Sequence, residues 1–182
     1  MNKSTKKSIS IRYLILYFLI YAFIGWLLET GYSFVVLGHF TKRGFLFAPL
    51  CPIYGWGAII LITFLTKYKS HSLKLFFYAA LVFSIFEYIV GFGLDALFAA
   101  KWWDYTNDFM NLNGRISIFY SFAWGIIAIL FLNHIHPYIE KKVKKVLKKI
   151  PSLTQLLIIK GFVIVYITDT VLSCLRYLGI LG

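Results

Sequence analysis

The sequence predicts an all-α fold, a polytopic transmembrane helical bundle of about five spans with one short amphipathic helix at the interface. Three observations carry this. Of 182 residues, 60% are apolar and 14% charged, whereas a soluble domain carries roughly 45–50% and about 25%. The apolar residues fall in runs near the length of about 20 that crosses a bilayer. The basic residues cluster between those runs, as loop lysines and arginines do in membrane proteins.

The first span is expected over residues 13–37 and the second over 49–66. The third covers 73–99, the fourth 116–132 and the fifth 153–178, where Lys160 and Asp169 interrupt the apolar run. All belong to a single integral membrane domain, residues 1–182, with its core over 13–131. Lys3, Lys6, Lys7 and Arg12 precede the first run like the basic start of a secretory leader. The run is long and no small-residue cleavage site follows it, so it reads as a retained span. Between Pro137 and Pro151, Ile139, Val143, Val146, Leu147 and Ile150 recur at helical spacing with lysines between them. That stretch reads as an amphipathic helix in the inner interface, residues 137–151. Its lysines at 141–149 suit anionic lipid headgroups, and either fix topology or offer a docking surface to a cytosolic partner.

Loop charge orients the spans. With the N-terminus in the cytoplasm, the inner segments hold Lys3, Lys6, Lys7, Arg12, Lys67, Lys69, Lys74, Lys141, Lys142, Lys144, Lys145, Lys148 and Lys149. The outer segments hold Lys42, Arg43, Lys101, Arg115 and Arg176. Thirteen against five favours an N-inside chain in a cell membrane. The net charge of +12 therefore reports on topology and lipid, and nucleic acid is excluded as a partner. Cys51 and Cys174 form no CxxC pair and no zinc-ligand spacing, so neither metal nor cofactor is expected. A disulfide between them and plain small-residue packing both remain open. No Walker motif is present, so this chain does not hydrolyse nucleotide by that route.

Three carboxylates fall inside the spans, where an ionised side chain costs about 2.5–3.5 kcal/mol at the helix centre. At about 1.5 Å per residue, Glu29 lies roughly 25 Å beyond Arg12, Glu87 roughly 20 Å beyond Lys74, and Asp169 roughly 24 Å beyond Leu153. All three reach the outer half of the bilayer. Arg43, before the second span, and Arg115, at the start of the fourth, sit at a similar level, and Asp95 and Asp104 lie further out. A site of Glu29, Arg43, Glu87, Asp104, Asn113 and Arg115 is expected there. Arginine suits it, because a planar guanidinium pairs bidentately with a carboxylate. The site reads equally as buried ion pairs fixing helix register or as a polar substrate or ion site.

Two segments shape its surroundings. RGFLFAPLCPIYGWG, residues 43–57, places Pro49 and Pro52 around Cys51 and predicts a late-starting or broken helix entrance. WWDYTNDFMNLNGR, residues 102–115, begins with an aromatic interfacial anchor and ends in the Asn113-Gly114 turn signal.

Taken in order, GWLLET, RGFLFAPLCPIYGWG, FEY and WWDYTNDFMNLNGRIS resemble the bacterial membrane family labelled putative ABC-transporter type IV, the CmpB-like permeases. The resemblance covers residues 13–131 and leaves Asp169 outside. It marks Glu29, Arg43, Pro49, Cys51, Pro52, Tyr54, Gly55, Glu87, Asp104, Tyr105, Asn113, Gly114 and Arg115. Thr106 stands where the family's pattern has serine. The resemblance implies a transport permease or permease subunit, working with a separate ATPase subunit or as a homo-oligomer. Two other classes stay open: a membrane enzyme acting on lipid or envelope material, for which no nucleophile–base pair is visible, and a non-transporting accessory protein.

Overall fold

The computed structural model describes residues 9–181; Lys3, Lys6 and Lys7 of the inner charge cluster lie outside them. Six α-helices follow in order: α1 Ile11–Leu37, α2 Pro52–Ile60, α3 Ser72–Phe98, α4 Ile118–Leu130, α5 His136–Leu147 and α6 Ser152–Tyr177. A π-helical segment, Leu61–Leu65, and a 3-10 turn, Thr66–Tyr68, follow α2, and a second π-helical segment, Phe131–Ile135, joins α4 to α5. A lipid-immersed backbone has no water to bond, so helices satisfy their own amides and carbonyls.

Among the described residues four helices are long and apolar enough to cross a membrane: Ile11–Leu37, Ser72–Phe98, Ile118–Leu147 and Ser152–Tyr177. The chain is thus a multi-pass helical membrane protein. Its outward faces are greasy, with Val35 81% and Leu73 73% exposed, as lipid permits and water would not. Small and polar residues turn inward. Leu75, Ala79, Phe83 and Glu87 form one buried stripe on α3, repeating every fourth residue.

The second expected span is shorter than the others. Residues 38–51 are non-helical, α2 begins at Pro52, and nine α-helical residues give way to the π segment and 3-10 turn. Proline at the first helical position explains the late start, since its missing N–H is unneeded there. Asp169 does not break the last span: α6 runs unbroken for 26 residues.

The amphipathic stretch is not a separate helix beginning after Pro137. It continues from α4 through the π segment, where the His136 amide bonds the Phe131 carbonyl. The widened turn absorbs a proline that would disrupt a regular helix. The Asn133 side-chain amide donates to the Ile129 carbonyl at 2.9 Å and supplies a donor beside the irregular turn. The amphipathic pattern is present except at Val146, which is exposed: Ile139, Val143, Leu147 and Ile150 are half-buried, while all six lysines between 141 and 149 are exposed.

The chain packs as two units. The first comprises residues 9–59 with 150–173, the second 60–149 with 174–181. In the first, Gly25 of α1 lies against the Tyr54 ring and Gly55 of α2 against Phe18, leaving no room for a side chain at either glycine. Close backbone approach over small residues is how membrane helices gain packing without a hydrophobic drive. In the second, α3 and α4 pack through the stacked rings of Phe83 and Trp124, through Phe76 against Gly125, and through a 2.6 Å hydrogen bond between the Ser84 and Ser121 hydroxyls.

Candidate functional site

The first unit holds Glu29 and Arg43. Glu29 sits on α1 near its outer end, half-buried, and accepts a 2.5 Å hydrogen bond from the Tyr54 hydroxyl of α2. One helical turn further, Ser33 is fully buried and accepts a hydrogen bond from Nε of Arg43. Residues four apart on a helix share a face, with a rise of about 6 Å between them. Arg43 therefore docks one turn beyond Glu29 on the same face of α1. Neither has an ion-pair partner among the described residues. Among the described residues the two terminal amino groups of Arg43 donate no hydrogen bond and one carboxylate oxygen of Glu29 accepts none.

The loop carrying Arg43 is fixed by a residue outside the expected site. Asp169 of α6 is 8% exposed and takes three hydrogen bonds: from the amide of Phe47 at 2.8 Å, from the amide of Ala48 at 2.7 Å, and from the Ser173 hydroxyl at 3.2 Å. A non-helical backbone at membrane depth needs protein partners for its amides, and Asp169 supplies two. The Cys51 amide completes the docking with a 2.9 Å bond to the Ala22 carbonyl. Cys51 and Cys174 are both free thiols.

The second unit holds Glu87, Asp104, Asn113 and Arg115, and there Arg115 pairs outside the expected set. Arg115 does not bond Glu87 or Asp104. It forms a 2.7 Å ion pair with Asp95 of α3, and its guanidinium lies over the rings of Tyr88 and Phe92. Asp104 stays on the surface. Its Oδ1 accepts from the Thr106 amide and hydroxyl, and its Oδ2 from Lys101 at 3.2 Å. The Thr106 hydroxyl, then the Thr106 amide, then Lys101 hold the Asp104 carboxyl below its usual range. The hydroxyl that serine would provide is retained by Thr106. Asn113 donates its side-chain amide to the Tyr88 hydroxyl at 2.9 Å.

The rest of this loop is self-supporting. Asn113 and Gly114 adopt φ of 53° and 66°, the left-handed pair that an Asn-Gly turn takes up readily. A side chain at Gly114 would also collide with Thr106 and Asp104. The Trp103 indole donates to the Arg115 carbonyl at 2.9 Å and the Tyr105 amide to the Gly114 carbonyl at 2.8 Å. The motif thus closes mostly on itself.

Glu87 is the exception in this unit. It is 4% exposed and receives one long hydrogen bond, 3.5 Å, from the Tyr105 hydroxyl. The Trp124 indole N–H is directed at it, yet neither that N–H nor Glu87 Oε2 completes a hydrogen bond.

Of the expected residues, then, Glu29 and Arg43 are brought together on one face of α1. Glu87 is buried and under-bonded in the second unit, and Asp104, Asn113 and Arg115 are engaged in holding a loop. Asp169, Asp95 and Tyr54 make contacts here although the expected site did not include them, and of these the resemblance had marked Tyr54. Asp169 carried a signal, being a carboxylate inside a span.

A family model described as putative ABC-transporter type IV matches residues 16–174. The match runs past residue 131, where the resemblance read from the motifs stopped, and takes in Asp169. No curated protein and no solved structure matches the chain.

Proposed function

The chain belongs to the putative ABC-transporter type IV family, and from that premise we propose that it is a transport permease, or the membrane subunit of one, in a bacterial cell membrane. Its substrate or ion contacts are Glu29 and Arg43; Glu87 is a separate buried polar group of the second unit. The loop charges support an N-terminus in the cytoplasm, which opens Glu29 and Arg43 toward the outer side. The observation that carries the reading is that Glu29 and Arg43 are half-buried, adjacent and not ion-paired among the described residues. Charges kept inside a membrane protein usually find partners. Two opposite charges held one helical turn apart on α1 without an ion pair suit a ligand that brings its own charge.

Energy comes from elsewhere, as the sequence has no nucleotide-binding motif. The lysine-rich face of α5 is where a separate ATPase subunit would dock, and a second copy of the chain would complete a pathway too small for one. The test is purification from the native membrane together with reconstitution. A co-purifying ATPase, and flux of a charged solute in proteoliposomes that Glu29→Gln removes, are expected. No partner, together with flux indifferent to Glu29→Gln and Arg43→Gln, would end the proposal.

A further inference from the structure

The first unit carries a groove whose use lies outside transport. Ile11, Leu14, Ile15 and Phe18 of α1, Trp56 and Ile59 of α2, and Val163 and Tyr166 of α6 line an open cleft of about 220 Å³ with no polar surface. Phe18 meets Trp56 and Tyr166 edge-on, each at 5.1 Å, at one end. Three residues back from Phe18 and Tyr166 stand Ile15 and Val163, both lining the cleft, so α1 and α6 run the same way along it. Six residues back, about 9 Å at 1.5 Å per residue, stand Arg12 on α1 and Lys160 on α6.

Both cations are exposed, and neither makes an ion pair among the described residues. Neither of the unit's two carboxylates pairs with them: Glu29 accepts from Tyr54, and Asp169 from the Phe47 and Ala48 amides. A lysine inside a span is costly unless its stem lies along apolar surface and its ammonium reaches a polar partner. Lys160 precedes Val163 by three residues, a spacing of neighbours on a helix, so it borders the face of α6 that lines the cleft.

We infer that this cleft binds one anionic phospholipid, an acyl chain lying against Phe18, Trp56 and Val163 while Arg12 and Lys160 hold the headgroup phosphate. The charge of the two cations selects an anionic lipid, and the apolar lining requires a chain. This site is separate from the lysine face of α5 and does not depend on what the protein transports.

The test uses the full chain in mild detergent, titrated with phosphatidylglycerol or phosphatidylcholine and read by native mass spectrometry. Phosphatidylglycerol is expected to be retained at least fivefold more tightly than phosphatidylcholine. The Arg12→Gln/Lys160→Gln double variant should lose that preference, and Val163→Phe, which fills the cleft, should weaken both lipids. Inorganic phosphate should displace neither. Lys141→Gln/Lys145→Gln should leave retention unchanged. All these side chains are exposed or half-buried, and unchanged helical circular dichroism would confirm folding. Equal retention of the two lipids, or a preference surviving the double variant, overturns the inference. So does phosphatidylglycerol retention that follows the α5 lysines. If Val163→Phe instead changes the number of chains in the particle while lipid retention stays the same, a second copy occupies the cleft and the inference fails.

Discussion

The two units carry similar charges and use them differently. In the second, Arg115 closes on Asp95, and Asp104 closes on Thr106 and Lys101. In the first, Arg43 reaches only a serine hydroxyl and Glu29 only a tyrosine hydroxyl. Arg115, though it bonds Asp95 through one amino group only, has its charge met within the fold. An arginine that bonds a neutral hydroxyl keeps its charge unmatched. On the proposed function, structure belongs to the second unit's loop and ligand contact to the first unit's helix face.

The largest effect should come from the residue that makes the first unit's openness sustainable. Asp169→Ala removes three hydrogen bonds, two of them from the Phe47 and Ala48 amides, a loss of about 3 kcal/mol at about 1–3 kcal/mol per buried bond to a charged group. Thermal unfolding in detergent measures it. Asp169→Asn, which keeps one acceptor oxygen, should fall between. Flux per folded molecule should hold until the loop carrying Arg43 loosens. A harmless Asp169→Ala would mean that the loop is held by other contacts.

Next come the open charges themselves. Glu29→Gln and Arg43→Gln should each cut flux at least tenfold, which corresponds to about 1.4 kcal/mol. Stability should change by no more than about 0.5 kcal/mol, since each loses a single neutral partner. Arg43→Lys should also fail, because an ammonium lacks the planar fork. Arg115→Gln should do the reverse. It should destabilise by about 1–2 kcal/mol through loss of the part-buried ion pair and the ring contacts, with flux per folded molecule intact. Combining it with Asp95→Asn should cost less than the sum of the two, the sign of a direct pair. If Arg115→Gln lost flux while Arg43→Gln lost stability, the assignment of roles to the two units would be inverted.

Much of this was legible before any coordinates. The spans follow from apolar runs, the late start of α2 from Pro52, and the loop turn from Asn113-Gly114, because each is a local property of the chain. Glu29 and Arg43 stood out because a bilayer makes charge expensive wherever it lies. Partner choice was not legible. Depth along a helix axis cannot say which way a side chain points around it, so Arg115 looked as close to Glu87 and Asp104 as to Asp95. The Asp169 contacts join residues 121 and 122 apart in sequence, a distance over which periodicity carries no information. Nor did the sequence show α4 continuing into α5. Pro137 reads as a break until a π turn is there to absorb it.

The smallest effect belongs to Asp104, and it tests whether the second unit's loop is as purely structural as claimed. Its carboxyl is held below the ordinary value of 3.8, first by the Thr106 hydroxyl, and the group is exposed. A carboxyl depressed by folding contributes stability above its ordinary pKa and loses it as pH falls through the depressed value. Thr106→Ala removes the leading cause, so the variant should be slightly less stable than the parent at neutral pH. The gap should close as pH drops below 3.8 and Asp104 takes up its proton in both. Thr106→Ser keeps the hydroxyl and should follow the parent throughout. Unfolding temperatures from pH 7 to the acid limit of the detergent particle read the difference. Exposed carboxylates are well screened by water and salt, so a large pH-dependent gap would give Asp104 a heavier role than closing a turn. Loss of flux in Thr106→Ala with stability unchanged would move Asp104 back among the ligand contacts and erase the distinction between the two units.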